Sequence, residues 1–213
     1  MTAIDQNDIK PLPGPLPEGE SVLWQRSPRW QPLGRRVFHT YKIALYFTVI
    51  IAWVAIAAVL GGGWGDAWRA LIWTLPPALG VVLLLGFFAW AYSRNTVYTI
   101  TNKRVIIQSG LAFTTAINLP FSKLDSADVK TFSDGSGDIE LTMAGPRILY
   151  SMIWPNNRLL AIKRPKPVLW ALEAPRQAAD ILGQALLKEE RAQQDVEPSA
   201  DRENTDISQA TAR

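Results

Sequence analysis

The stretch Ile43–Leu60 reads IALYFTVIIAWVAIAAVL and Ala70–Tyr92 reads ALIWTLPPALGVVLLLGFFAWAY; neither holds an Asp, Glu, Lys, Arg or His. As helices these 18 and 23 residues would be about 27 and 34 Å long at ~1.5 Å per residue. Bilayer hydrocarbon is ~30 Å thick, and Tyr41 with Gly61–Gly63 brings the first stretch to that length. A helix buried in a soluble core would carry a polar stripe, and neither stretch has one. One charge at mid-bilayer costs about 2.5–3.5 kcal/mol, which accounts for the exclusion of charge. The pattern predicts two transmembrane helices, about 41–62 and 70–92, in preference to a buried soluble hairpin.

Aromatic rings frame these stretches. Trp64 and Trp68 lie in the connection, and Tyr41, Trp90 and Tyr92 lie at the opposite ends, as interfacial anchors do. Pro76–Pro77 removes two backbone donors from the second stretch. Two readings stand. The span is kinked, its freed carbonyls met by Thr74, water or a neighbouring helix; or it starts at Pro76 after an interfacial segment Trp64–Leu75. Arg26, Arg29, Arg35, Arg36 and Lys42 precede the first span, and Arg94, Lys103 and Arg104 follow the second. Only Asp66 and Arg69 lie between them. The positive-inside rule therefore predicts both termini in the cytoplasm. Residues up to 20 are polar, so no cleavable secretion signal is expected.

The whole chain has 213 residues, with 22 Lys+Arg, 19 Asp+Glu, one His and no Cys. Lack of cysteine excludes disulfides and thiolate chemistry. One histidine excludes zinc or haem sites built from several imidazoles. A Ser-His-acid triad would depend wholly on His39, next to the first span. Beside the spans there is room for one ordinary domain.

Residues 1–40 form a Pro-rich and basic N-terminal segment. Pro11-Leu-Pro-Gly-Pro-Leu-Pro17 favours an extended spacer, and Glu20–Trp24 suits a short strand. From Thr96 the pattern becomes β. Thr96–Thr101 and Arg104–Gln108 flank a hairpin turn at Asn102-Lys103. Further strands are expected at Ala116–Leu119, Asp128–Phe132, Asp138–Met143 and Ile148–Trp154, with turn chemistry at 133–137 and 144–146. Short, evenly spaced strands imply an antiparallel sandwich or barrel. Pro175 suits a helix start, and Ala178, Ile181, Leu182, Ala185 and Leu186 make one apolar face. The resulting domain covers about 95–190. From Glu189 on there are 7 acids and 3 bases, and residues 191–213 read as a disordered acidic tail.

Candidate chemistry is sparse. His39 has two readings, an axial ligand to a chlorin magnesium or, by default, a hydrogen-bonded interfacial residue. The segment from Asp134 starts like a calcium loop but has Ile139 and Gly145 where Gly and Glu are needed. Asp125, Asp128, Asp138 and Glu140 read as a solvated face. Arg26, Arg29, Arg35, Arg36, Arg94, Lys163, Arg164 and Lys166 are candidate contacts to a membrane surface or a partner, at ~1 kcal/mol per cation near anionic lipid. They serve equally as topogenic charge, and nucleic-acid binding is not expected. Ala52, Ala55, Ala57, Ala58, Gly80 and Gly86 permit close helix approach, either to a partner or between the two spans.

Two sets of motifs carry a resemblance. Tyr98-Thr-Ile-Thr-Asn-Lys-Arg-Val105, Gly110 and Ile117-Asn-Leu-Pro120 resemble the bacterial pleckstrin-homology (PH) domain. Leu16-Pro-Glu-Gly-Glu20, Leu23-Trp-Gln25, Pro28-Arg-Trp30 and Arg36-Val-Phe-His39 resemble the photosynthetic complex (reaction-centre) assembly family PuhB of purple bacteria, over about residues 11–187. The resemblance implies a membrane α + β protein: a two-helix transmembrane hairpin, then a PH-like antiparallel β-sandwich or barrel capped by a C-terminal helix. It implies an assembly factor for the photosynthetic reaction centre, with a secondary effect on the core light-harvesting complex. Such a protein works by contact, not catalysis, and brings no catalytic residue, metal or cofactor, bacteriochlorophyll contact aside. Expected partners are reaction-centre subunits, core light-harvesting polypeptides, the lipid bilayer and a second copy of the chain. The expected location is the bacterial inner (intracytoplasmic, chromatophore) membrane. Two other classes compete: a PH-like scaffold or sensor that binds anionic lipid headgroups, and a membrane enzyme acting on pigment or lipid.

Overall fold

The computed structural model describes residues 11–12, 14–110, 115–144, 156 and 166–211, the last stretch with side chains to 192 and at 194. In chain order the elements are β1 (Val22–Arg26), α1 (Trp30–Arg36), α2 (Thr40–Gly62) and α3 (Trp64–Asn95). Then come β2 (Val97–Thr101), β3 (Arg104–Ser109), β4 (Thr115–Pro120), a 3-10 turn at Phe121–Lys123, and β5 (Leu124–Thr131). The chain continues through β6 (Gly137–Met143) and β7 (Val168–Leu172) into the terminal helix α4 (Pro175–Thr211).

Helices α2 and α3 are the two apolar stretches, long and apolar enough to cross a membrane. They pack on each other around a turn at Gly63, where φ is +83°. Gly is suited to that left-handed conformation because it lacks a Cβ. Ala67, Ala78 and Ala89 of α3 are buried. No residue of α2 is buried, and Tyr46, Val49, Trp53, Ile56 and Leu60 are all exposed. A water-facing surface of that kind is unusual for a soluble monomer.

No helix boundary falls at Pro76. Helix α3 runs unbroken through Pro76 and Pro77. Thr74 does not meet the carbonyls those prolines free, because its hydroxyl donates to the Ala70 carbonyl at 2.8 Å.

Two antiparallel sheets follow, in the orders β1-β2-β3-β4 and β5-β6-β7. Alternation drives one face of each inward, and a single core joins them. Trp24, Tyr98, Ile100, Val105, Ile107 and Leu119 come from the first sheet; Ile139, Leu141, Leu169 and Leu172 come from the second. Helix α4 adds Ala178, Leu182 and Ala185 to the same core. Its 3–4 apolar spacing makes it an amphipathic cap on both sheets.

Most expected strands are present, with three differences. The expected strand at 148–154 lies outside the described residues, while β7 (VLWAL) carries no turn-bounded alternation and went unanticipated. The helical backbone of α4 continues to Thr211, through the segment expected to be a disordered tail.

The third difference matters most. Strand β1 does not belong to a separate N-terminal segment. It pairs antiparallel with β2, Trp24 opposite Ile100 and Arg26 opposite Tyr98, although the whole α2–α3 hairpin separates the two strands in sequence. The apolar hairpin is thus inserted into the β domain. Trp24→Ala should therefore cost the domain about 3–5 kcal/mol, read as a lowered unfolding midpoint in detergent. An unchanged midpoint would mean that residues ahead of α2 are not part of the fold.

Candidate functional site

The junction where the hairpin enters the domain holds a cluster of polar side chains. Helix α1 lies there, against both α3 and β7. Its Leu33 is fully buried with Tyr92 of α3 and Ala171 of β7. The contact at Gly34 is close, since a Cβ there would lie 3.3 Å from Ala89 Cβ.

Arg36, at the end of α1, reaches into the second sheet. Its Nη1 donates to Asp138 Oδ1 at 2.8 Å, and its Nη2 donates to Asp134 Oδ1 at 3.2 Å and to Ser136 Oγ. The guanidinium carbon also sits 3.4 Å from the centroid of the Phe132 ring. This fork-like bridging with ring stacking suits Arg and not Lys. Asp134, Ser136 and Asp138, the oxygen-bearing residues that begin like a calcium loop, thus converge on a guanidinium. Among the described residues no three His, Asp or Glu side chains form a metal-binding group.

Asp138 ties the arrangement together. Its Oδ1 also accepts the Ala171 N–H at 2.9 Å, holding Ala171 at φ +55°, while the Ala171 carbonyl accepts the Arg29 N–H at 2.9 Å. A left-handed Ala costs about 1–2 kcal/mol, so these two bonds hold a strained residue. Burial raises the Asp138 carboxyl above its ordinary value, opposed by the Ala171 N–H and Arg36. Asp134 is lowered, first by the Ser136 hydroxyl.

Behind this clamp is a buried polar chain. Tyr98 donates from its hydroxyl to Asn156 Oδ1 at 2.9 Å and accepts the Trp170 N–H at 3.2 Å. Asn156 Nδ2 donates to the Tyr92 hydroxyl at 2.8 Å. Burial pushes the Tyr98 phenol well above its ordinary value, so it stays a neutral hydrogen-bonding group.

At the far end of β1 the two resemblance motifs meet. Glu20 accepts from Arg104 Nε at 2.7 Å, from Arg104 Nη2 and from the Thr101 hydroxyl at 2.8 Å. Asn102 accepts the Ser21 N–H at 3.0 Å and donates to the Gly19 carbonyl at 2.9 Å. The Leu16-Pro-Glu-Gly-Glu20 motif therefore caps the β2–β3 turn.

The residues expected to meet a membrane or partner divide. Arg36 is spent inside the chain, and Lys166 pairs with Glu140 at 3.1 Å. Arg94 is exposed near Trp90, 5.8 Å from the ring centroid. Arg26, Arg29 and Arg35 are exposed. Lys163 and Arg164 lie outside the described residues. His39 is the residue before α2, at φ 52°, half-buried, with a buried Nδ1 that has no hydrogen-bond partner. Asp138, expected on a solvated face, is buried instead, held by Arg36 and the Ala171 N–H, and sequence reasoning gave Glu20 and Asn156 no site role. Glu20 left a signal, as the closing acid of the Leu16-Pro-Glu-Gly-Glu20 motif ahead of a strand.

A bacterial PH domain model matches residues 43–174. The chain belongs to the bacterial PH domain family. The match begins inside α2, so it takes in the hairpin as well as the β strands. A Rhodobacter capsulatus protein, described as an uncharacterized 23.7 kDa protein in the puhA 5' region, is 32% identical over 199 residues, covering 84% of this chain and 86% of the relative. No solved structure matches.

The Arg104 guanidinium holds the Glu20 carboxyl below its ordinary 4.5. A lowered carboxylate contributes stability above its unfolded value and loses it as pH falls. Stability should therefore drop as pH falls below about 4.5, and Glu20→Gln should show a shallower acid-dependent loss, measured as unfolding midpoint against pH. An equally steep acid limb in the variant would contradict the role given to Glu20.

Proposed function

We propose that this chain is an assembly factor for the photosynthetic reaction centre, with a secondary effect on the core light-harvesting complex. The observation that carries the reading is the relative from the puhA 5' region, similar along most of both chains. The N-terminal motifs, which resemble the reaction-centre assembly family, point the same way.

In this reading α2 and α3 cross the bacterial inner membrane, and the β domain acts by contact and not by catalysis. The exposed apolar surface of α2 and α3 supports that placement, since lipid or another membrane helix would cover it. The β1–β2 pairing supports a common side for the two flanks: a hairpin that crosses a bilayer leaves paired strands together. The basic residues flanking the hairpin favour the cytoplasm as that side.

Partner contacts then fall on the lateral faces of the hairpin. Gly80 and Gly86 have open space where a Cβ would stand, so neither serves the α2–α3 contact. Ala52 and Ala57 are likewise exposed. Small residues let helix backbones approach closely in lipid, which suits reaction-centre subunits, core light-harvesting polypeptides or a second copy of the chain.

Deleting the gene and measuring reaction-centre and antenna absorption separately tests this. The expected result is a large loss of reaction centre with a smaller loss of core antenna, restored by the intact gene. Normal amounts of both would refute the assembly role.

A further inference from the structure

We infer that the outward face of α1, formed by Arg29, Trp30 and Arg35 together with Lys42 of α2, binds the anionic phospholipid headgroups of the leaflet next to the β domain. The inference rests on α2 and α3 crossing a bilayer; it is independent of the assembly role.

The first argument is position. Helix α3 has 32 residues and α2 has 23, so α3 outruns its partner by about 13 Å at ~1.5 Å per residue. Helix α1 packs beside that extension, with Gly34 against Ala89 and Thr40. It therefore lies at the level where α2 begins and lipid-facing surface ends.

The second argument is the division of α1 into faces. Pro32, Leu33 and Gly34 are buried against the protein, while Arg29, Trp30, Gln31 and Arg35 point outward. Trp30 is 47% exposed, and Tyr41 beside Lys42 is 69% exposed. Amphipathic rings among cations are the chemistry of the headgroup layer.

The third argument is charge balance. Arg35 and Arg36 are neighbours with opposite fates. Arg36 takes up the nearby carboxylates Asp134 and Asp138. Arg35 acts on Asp134 only through space, lowering its carboxyl. Among the described ion pairs none involves Arg29, Arg35 or Lys42. Three cations outside the described ion pairs and an indole thus face outward, at the depth of lipid phosphates. An acidic protein surface offers charge but no acyl chains for Trp30 and Tyr41.

The chain has no cysteine, so Gln31→Cys gives the full-length protein in uncharged detergent a single site for an environment-sensitive fluorophore. Short-chain phosphatidylglycerol should saturate the signal at a concentration at least tenfold below phosphatidylcholine. That preference should shrink as salt rises, because exposed charge is screened. The triple variant R29Q/R35Q/K42Q should lose the preference and keep its unfolding midpoint, and R26Q should keep the preference. Equal response to the two lipids, an unaltered preference in the triple variant, or glycerol phosphate acting as well as the lipid would each overturn the inference. If the triple variant failed to fold, the lipid comparison and salt dependence of the unaltered residues would still decide. A negative result leaves membrane insertion and the assembly role untouched, since the detergent requirement and the gene deletion test those.

Discussion

One pairing constrains everything else: strand β1, ahead of the apolar hairpin, is hydrogen-bonded to strand β2 behind it. The hairpin therefore has both ends fixed in one sheet. No flexible linker intervenes on the exit side, because α3 ends at Asn95 and β2 begins at Val97. Any tilt or shift of α3 must be felt by the core that holds Tyr98 and Ile100. On the entry side α1 and the turn at His39 fill the gap between β1 and α2. The strained left-handed backbone at His39 and Ala171 lies at this junction, where the chain reverses between domain and hairpin.

Electrostatics reinforces that constraint by sorting charges. The domain uses Arg36 to neutralise two carboxylates that would otherwise be left half-buried and repelling each other. Removing one partner of such a group usually costs more than the group contributes, since the other charge stays behind unpaired. Glu20 and Arg104 do the equivalent at the opposite end of β1, so both ends of the segment ahead of α2 are pinned by a guanidinium–carboxylate bridge. What remains outside, Arg29, Arg35 and Lys42, is free of such duty among the described ion pairs. That sorting is why a basic count along the sequence overstates the surface charge available to lipid.

Much of the architecture was legible from periodicity. Long uncharged stretches gave α2 and α3, alternation gave β2 to β6, and 3–4 spacing gave the packed part of α4. The β2–β3 pairing was legible from its turn, but that of β1 was not, because its partner lies across the hairpin and nothing local in Val22–Arg26 names it. The continuity of α3 through Pro76–Pro77 was also open, since neighbouring helices can make the loss of two backbone donors tolerable. Strand β7 escaped notice because both of its faces are largely covered, so Val168, Leu169, Ala171 and Leu172 show no alternation. The junction was legible only as a list of basic residues. Which arginine turns inward depends on the distant loop at Asp134–Asp138, a tertiary fact with no signature near Arg36.

The most direct test of the inserted hairpin uses Gln25 and Thr99, which face each other across β1 and β2 and share a hydrogen bond of 3.1 Å. Directly opposed strand residues have Cα atoms about 4.5–5.5 Å apart, within the reach of a disulfide. With Gln25→Cys and Thr99→Cys in an otherwise cysteine-free chain, mild oxidation of native membranes should close an intramolecular disulfide in most molecules. Two thiols that stay separate, or that react from opposite sides of the membrane, would contradict the account at its root.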